Sequence, residues 1–278
     1  FKSVYPLKNI AELKPKHIFN QWVIYEFQNL YKAVQQNYKN YYFHEVANHL
    51  YHFTWRTFCD WYIELSKNLL DSNDFKDETK YTFHIVFNSL LQLLHPVIPF
   101  ITEKLWSLNN KNILMTHQWN YNDLIIDHSS VDKANDFIDF IEEYRSFEKL
   151  FDIKKDDEVL IFSNNSNLQN LLTQNKDVLE FLTRKKLSLN PLSKGITLPF
   201  KKYDFVLETN QIDKLKIQNK LSDNQKKLQK EKEGIDKNLS NSNFTERAPK
   251  ELIDQNQKRQ LSINLELSKI ESILNTLN

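Results

Sequence analysis

The sequence predicts a mainly α-helical chain: a helical-bundle domain, a small α/β linking module and an antiparallel coiled-coil hairpin at the C-terminus. Three observations carry this. Through residue 151, apolar residues recur three and four apart in stripes wide enough to face a bundle core. Between 153 and 208 the rhythm shortens, and Glu158-Val-Leu-Ile-Phe162 and Lys202-Tyr-Asp-Phe-Val-Leu207 read as strands around a helical stretch at 167–184. Beyond 209, Leu221, Leu228 and Ile235 recur every seven residues, the seam of a coiled coil. The domains are therefore drawn at 1–152, 153–208 and 209–278.

The bundle is read in order. Residues 16–38 form a first helix, with Ile18, Trp22, Tyr25 and Leu30 near one face and Pro15 close to its start. A second runs from about Phe43 to Leu70, its apolar side made of Val46, Leu50, Phe53, Trp55, Phe58, Tyr62 and Leu65. A third covers 77–94, carrying Tyr81, Phe83, Val86, Phe87, Leu90, Leu91 and Leu94. His95-Pro96 ends it, because proline disfavours helix at the residue before it. Pro99 suits the first turn of a fourth helix that runs through Trp106. The Asn/His/Asp mixture at 109–130 reads as an extended connector, and a fifth helix over 131–151 places Phe137, Ile141, Tyr144 and Leu150 at helical spacing.

In the last segment, Leu239 extends the heptad seam by a turn, and the Ser/Asn cluster at 240–243 with Pro249 stops one helix and starts the next. Ile253, Ile263, Leu267, Ile270, Leu274 and Leu277 then make one narrow seam that Asn256 and Gln260 also occupy. Helices with so thin an apolar stripe must pair. Folding back satisfies both, giving arms of about 28 residues that reach roughly 42 Å and favouring a monomer.

Composition excludes several classes of chemistry. No apolar run approaches the ~20 residues that span a bilayer, and no signal-peptide pattern appears. The first residue is Phe1 and the single Met is Met115, which reads as a fragment of a longer chain. The single cysteine, Cys59, precludes a disulfide framework and a cysteine-based zinc site; among Phe58, Trp61 and Tyr62 it reads as an inert thiol, and a reducing cytoplasm fits. Only two glycines occur, Gly195 and Gly234, and neither sits in a phosphate-binding loop. His44, His49 and His52 share a helix without a companion Asp, Glu or Cys at ligand spacing, so no metal is assigned. Asp60 and Glu64 read as hydrogen-bonding residues, and Ser66 and Ser107 have no recognisable base. Net charge is +1, which gives no global pull on nucleic acid. Its distribution does: 214–232 holds seven Lys against Asp223 and Glu231 alone.

Two motifs carry a family resemblance. Asn241, Phe244, Arg247, Ala248, Pro249, Leu252 and Ile253 form N-x-x-F-x-x-R-A-P with a following apolar pair, which resembles the C-terminal arm of valyl-tRNA synthetases. Phe53-Thr-Trp-Arg-Thr-Phe-Cys-Asp-Trp-Tyr-Ile-Glu-Leu-Ser-Lys67 and Leu94-His-Pro-Val-Ile-Pro-Phe-Ile-Thr-Glu-Lys-Leu-Trp106 resemble the helical anticodon-binding domain of the valyl, isoleucyl, leucyl and methionyl enzymes. The F-C-D-W-Y-I-E form looks closest to the valyl enzymes, and Trp22 and Phe43 match further positions of that domain. The resemblance covers nearly the whole chain and is weakest between about 150 and 208. Isoleucyl enzymes typically close with a cysteine-rich zinc module that this chain cannot build, and leucyl enzymes lack the hairpin signature.

The resemblance implies a tRNA-gripping region without a catalytic residue or cofactor of its own, serving an upstream catalytic part that uses ATP with Mg. The partner implied is valine-accepting tRNA, neither DNA nor a membrane. Phe43 and Trp22 are then the aromatic candidates for stacking anticodon bases, with Gln21 and Lys39 as polar readers; burial in the bundle core is the competing reading for both rings. The family usually has Arg where Gln21 stands and a basic residue near Glu26, a departure that weakens ionic contact from this helix. Lys216, Lys220, Lys226, Lys227, Lys230, Arg247 and Lys250 are candidates for phosphates at the outer corner of the tRNA, Arg247 alternatively capping the first arm. A coiled coil that recruits a protein partner is the alternative from another class.

Overall fold

The computed structural model describes residues 15–118, 124–151, 153, 159–161, 166–184, 187–188, 196–200, 203–207, 214–241, 244 and 248–277. They form two compact units, Phe1–Ile138 and Asp139–Asn278.

The first unit is helical. α1 (Ile18–Lys39) inserts Phe19, Trp22, Val23, Ile24, Phe27, Leu30 and Val34 into the core, each worth roughly 1.5–3 kcal/mol on burial. His17 caps it, its Nδ1 accepting from the Phe19 amide at 3.3 Å. α2 (Phe43–His52), a π-helical stretch (Phe53–Tyr62) and α3 (Ile63–Asp71) make one continuous run where the sequence predicts a single helix. α4 (Lys76–Leu94) and α5 (Pro99–Ser107) follow, then a 3₁₀ turn (Leu114–Thr116) inside the expected connector. α6 (His128–Phe151) begins slightly earlier than the sequence implied, and its first half adds Val131, Ala134 and Phe137 to this core. Tyr62 Oη donates to Asn20 Oδ1 at 2.9 Å, and Asn20 Nδ2 donates to Glu78 Oε1 at 2.8 Å and Thr79 Oγ1 at 3.1 Å. That buried network ties α1 to the π-helical stretch and to α4.

The π-helical stretch corrects one sequence reading. Val46, Leu50, Phe53, Phe58, Tyr62, Leu65 and Leu69 are buried as expected, but Trp55 is exposed. The spacing explains it: steps of three and four hold everywhere except the five-residue step from Phe53 to Phe58. A widened turn absorbs that step and brings both rings inward, stacked at 6.5 Å, leaving Trp55 on the outer side.

In the second unit, the second half of α6 packs on a four-stranded sheet: Phe205 meets Phe147 at 4.3 Å, Phe140 at 5.8 Å and Tyr144 at 5.8 Å. The boundary expected at 152 thus falls inside α6, because its aromatic face serves two cores. The strands are β1 (Val159–Ile161), β2 (Leu187–Ser188), β3 (Ile196–Phe200) and β4 (Tyr203–Leu207), in the order β2-β1-β4-β3. β1 pairs parallel with β2, the crossover being made by α7 (Ser166–Gln174) and α8 (Lys176–Thr183), and antiparallel with β4; β3 and β4 are antiparallel neighbours. β1 and β4 match the two predicted strands; β2 and β3 carried no recognisable alternation.

The hairpin is α9 (Lys214–Ser240) and α10 (Lys250–Leu277), packed on each other. The joint at 241–249 can reach at most about 30 Å, short of the roughly 40 Å length of α9, so the arms run antiparallel. Ile217, Leu221, Leu228 and Ile235 of α9 and Ile263, Ile270 and Ile273 of α10 are buried in the seam; Ile217 and Ile273 extend the predicted set. In the joint, the Ala248 amide donates to the Phe244 carbonyl at 2.8 Å, and the Pro249 carbonyl receives the amides of Leu252 and Ile253. α10 also packs on β3.

Candidate nucleic-acid interface

The turn from α1 into α2 is built without glycine. The Tyr42 amide donates to the Asn37 carbonyl at 2.9 Å and the Tyr41 amide to the Tyr38 carbonyl at 3.1 Å, the pair of bonds that closes a helix through a left-handed residue. That residue is Tyr41, at φ 60°. A β-carbon in this conformation costs roughly 1–2 kcal/mol, so an aromatic ring is held here against the backbone's preference. The ring is 79% exposed, and Tyr42 and Phe43 beside it are 52% and 58% exposed. Phe43 meets Tyr38 edge-on at 6.1 Å and Tyr41 at 6.2 Å. Lys39 is exposed in the last turn of α1, and Glu45 pairs with His44 at 3.3 Å. The result is a protruding aromatic knuckle with a cation at its edge.

Phe43 is therefore on the surface, against the core alternative. Trp22 goes the other way: it is 5% exposed, and its Nε1 donates to Asn135 Oδ1 at 2.9 Å. Gln21 is buried too, donating from Nε2 to the Lys16 carbonyl at 3.3 Å and to Ser130 Oγ at 3.4 Å, while its Oε1 accepts from the Asp127 amide at 3.0 Å. Both tie α1 to the start of α6, so the sequence assignment of these two as base readers is corrected: they are structural. Burial also raises the carboxyl of half-buried Glu26.

The other side chains weighed from sequence hold local roles. Glu64 pairs with Lys67 at 2.6 Å. The Cys59 thiol is pushed up by burial and by the Asp60 charge, which disfavours the thiolate. Among the described residues, no group of three or more His, Cys, Asp or Glu side chains is placed to hold a metal ion.

On α9, Lys226, Lys227 and Lys230 are exposed and Lys220 is half-exposed. Lys226 and Lys230, four residues apart, lie on the side away from the seam, and Lys220 and Lys227, seven apart and each one residue before a seam leucine, flank it. Glu231, one of two acids in the lysine run, turns to the other arm: its carboxylate accepts from Arg259 Nε at 2.8 Å and Nη2 at 3.0 Å, a bidentate pair. That contact holds Glu231 below the usual carboxylate range. Arg259 Nη1 also donates to Glu266 at 3.1 Å, and Gln260 donates to Asp236 across the hairpin. The cross-arm polar pairs thus draw acid away from the lysine face. Lys216 and Lys250 fall in α9 and α10, but their side chains, and Arg247 altogether, lie outside the described residues.

The family model described as the anticodon-binding domain of tRNA ligase matches residues 20–161. The chain belongs to that family. A second family model, the valyl tRNA synthetase tRNA binding arm, matches residues 212–278, and the pairing of the two is that of the valyl-tRNA synthetases. The chain is 32% identical over 264 residues to the valine–tRNA ligase of Pelagibacter ubique, covering 90% of this chain and 30% of that protein. With the Mesoplasma florum valine–tRNA ligase it shares 28% over 265 residues, covering 93% of this chain and 30% of the relative. A shorter match, 42% over 117 residues, joins 41% of this chain to 12% of the Ruegeria pomeroyi valine–tRNA ligase. The chain thus spans about 30% of the length of the first two relatives.

Within the synthetase family match, the anticodon-binding region holds the aromatic knuckle and the arm holds the lysine face. Sequence reasoning missed Tyr41, Tyr42 and Tyr38. The signal was present: Tyr38-Lys-Asn-Tyr-Tyr-Phe43 puts four rings around a helix end where glycine is the ordinary choice.

Proposed function

We propose that this chain is the tRNA-gripping region of a valine–tRNA ligase, holding the anticodon loop with the bundle and the outer corner of the tRNA with the hairpin. The observation that carries the reading is the α1–α2 turn, where Tyr41, Tyr42 and Phe43 stand outside a core that buries Phe19, Trp22 and Phe27 of α1. Unpaired bases splayed from a loop stack on such rings for roughly 1–3 kcal/mol each. Lys39 supplies charge beside them. Lys220, Lys226, Lys227 and Lys230 would meet phosphates as point charges along the rod, with Lys216, Arg247 and Lys250 as further candidates.

On this reading the chain contributes position rather than bond chemistry. ATP and magnesium enter at a catalytic part beyond this chain, and no residue here is assigned to them. Valine-accepting tRNA, a cytoplasmic setting and a monomeric state belong to the same proposal; of the described residues, no helix is long and apolar enough to cross a membrane.

The test is binding of valine-accepting tRNA across a salt series. Phe43→Ala weakens binding about 5- to 150-fold with helicity retained, since the ring is mostly in solvent. Lys226→Glu with Lys227→Glu lowers the log–log salt slope by about 1.4–1.8, two phosphates' worth. Unchanged affinity for Phe43→Ala removes the knuckle from the interface, and an unchanged slope removes the two lysines.

A further inference from the structure

The outer side of α2 and the π-helical stretch carries rings beyond the knuckle. His44, Asn48, Tyr51 and Trp55 follow one another at steps of four, three and four, one stripe on the side opposite buried Val46, Leu50 and Phe53. Tyr51 is 63% exposed and Trp55 59%. The stripe starts where the knuckle ends: Tyr42 meets His44 at 6.3 Å, and further along Tyr51 meets exposed His52 edge-on at 5.6 Å. From Tyr41 to Trp55 the helical run rises roughly 21 Å. Next to Trp55 stands Arg56, exposed and without an ion pair among the described residues. The widened turn is what keeps Trp55 outside. In an uninterrupted α-helix Trp55, Phe58 and Tyr62 share a face by steps of three and four, and a core that buries the last two draws the tryptophan in. The extra residue in the turn parts it from them. Turns of this kind are frequent at functional sites.

We infer that Tyr51 and Trp55, with Arg56 at their edge, form a second stacking site for unpaired RNA, taking bases of the strand that leaves the knuckle; the inference rests on the tRNA reading above. Two observations choose RNA as the occupant. The first is continuity, because the stripe runs on from Tyr41, Tyr42 and Phe43 along one face of one helical run. The second is chemistry. From 41 to 59 every exposed large hydrophobic side chain is aromatic, the aliphatic Val46 and Leu50 being buried. The sole carboxylate in that span, Glu45, is paired with His44. Rings offer base-sized flat faces whatever the base, and a guanidinium beside them can meet a phosphate or stack in turn. An aliphatic face would have suited protein instead.

Anisotropy of labelled valine-accepting tRNA tests this, in the 278-residue chain and in the full-length ligase. Trp55→Ala weakens binding about 5- to 150-fold in both, with the melting temperature unchanged because the ring is mostly in solvent. Trp55→Phe, which keeps a stacking face, recovers most of that loss; Trp55→Leu, which keeps only apolar bulk, does not. Unchanged affinity for Trp55→Ala in either protein overturns the inference. Equal recovery by Trp55→Leu does so too, as does a melting temperature that falls in the full-length ligase alone, since both assign the ring to protein packing. Phe43→Ala, measured in parallel, keeps the two readings apart. Weakening by Phe43→Ala alone leaves the knuckle standing and sinks the second site, and weakening by Trp55→Ala alone does the reverse. No response to either variant, or no binding by the parent proteins, sinks both.

Discussion

Replacing Tyr41 separates what its backbone costs from what its ring does. At φ 60° the residue carries a penalty of roughly 1–2 kcal/mol that glycine escapes, while glycine's extra freedom in the unfolded chain returns roughly 0.5–1 kcal/mol of that. Tyr41→Gly therefore raises stability by up to about 1.5 kcal/mol, a few degrees in Tm for a unit of this size. Tyr41→Ala keeps the strained backbone and removes a ring that is 79% exposed, so stability stays within about 0.5 kcal/mol. For tRNA the two variants behave alike: each loses one stacking surface, roughly 1–3 kcal/mol, or about 5- to 150-fold in Kd. Thermal melts followed by circular dichroism and anisotropy with a labelled anticodon stem-loop read both quantities. If Tyr41→Gly melts below Tyr41→Ala, the left-handed turn is not a source of strain. If both bind RNA as tightly as the parent, the knuckle is not a stacking surface.

Three further outcomes are expected. Tyr62→Phe strands the Asn20 carbonyl in a fully buried site and lowers unfolding free energy by about 1–3 kcal/mol, seen as a lower urea midpoint at constant slope; no change would mean that Asn20 finds another donor. His17 is held neutral by burial, its pKa lowered from 6.5 to about 4, so the unfolded chain takes up a proton that the folded chain refuses; stability falls as pH drops from about 6.5 to 4 and is level above. His17→Gln, which cannot titrate, flattens that part of the stability–pH curve. Gly234→Ala, exposed in mid-helix with nothing within 4 Å of the added methyl, stabilises α9 by roughly 0.5–1 kcal/mol; a lower melting temperature would show the hairpin needs that glycine.

Much of this was legible in the chain because helical periodicity is a local signal. The seams of α9 and α10 needed only the positions of Leu221, Leu228, Ile235, Ile263 and Ile270, and the stops at His95-Pro96 and Pro249 follow from ring sterics. Trp55 was misplaced because a pure three-and-four rhythm has no room for the step between Phe53 and Phe58. β2 and β3 escaped notice because Leu187–Ser188 is too short to alternate and Ile196–Phe200 contains Pro199. At the site, Phe43 and Trp22 look equivalent in sequence; only the packing of α1 against α6 sends one to Asn135 and the other to water.

The lengthened stride between Phe53 and Phe58 also makes the chain's arithmetic uneven along this helix. Losing one residue from 54–57 would return the whole run to an ordinary α-helical count and still leave both phenylalanines pointing inward. The same loss between Tyr62 and Leu69 would rotate Leu65 or its successors toward water. Single-residue shortening is thus absorbed at one place and ruinous a turn or two later, and the tolerant place is the one that holds Trp55 at the surface.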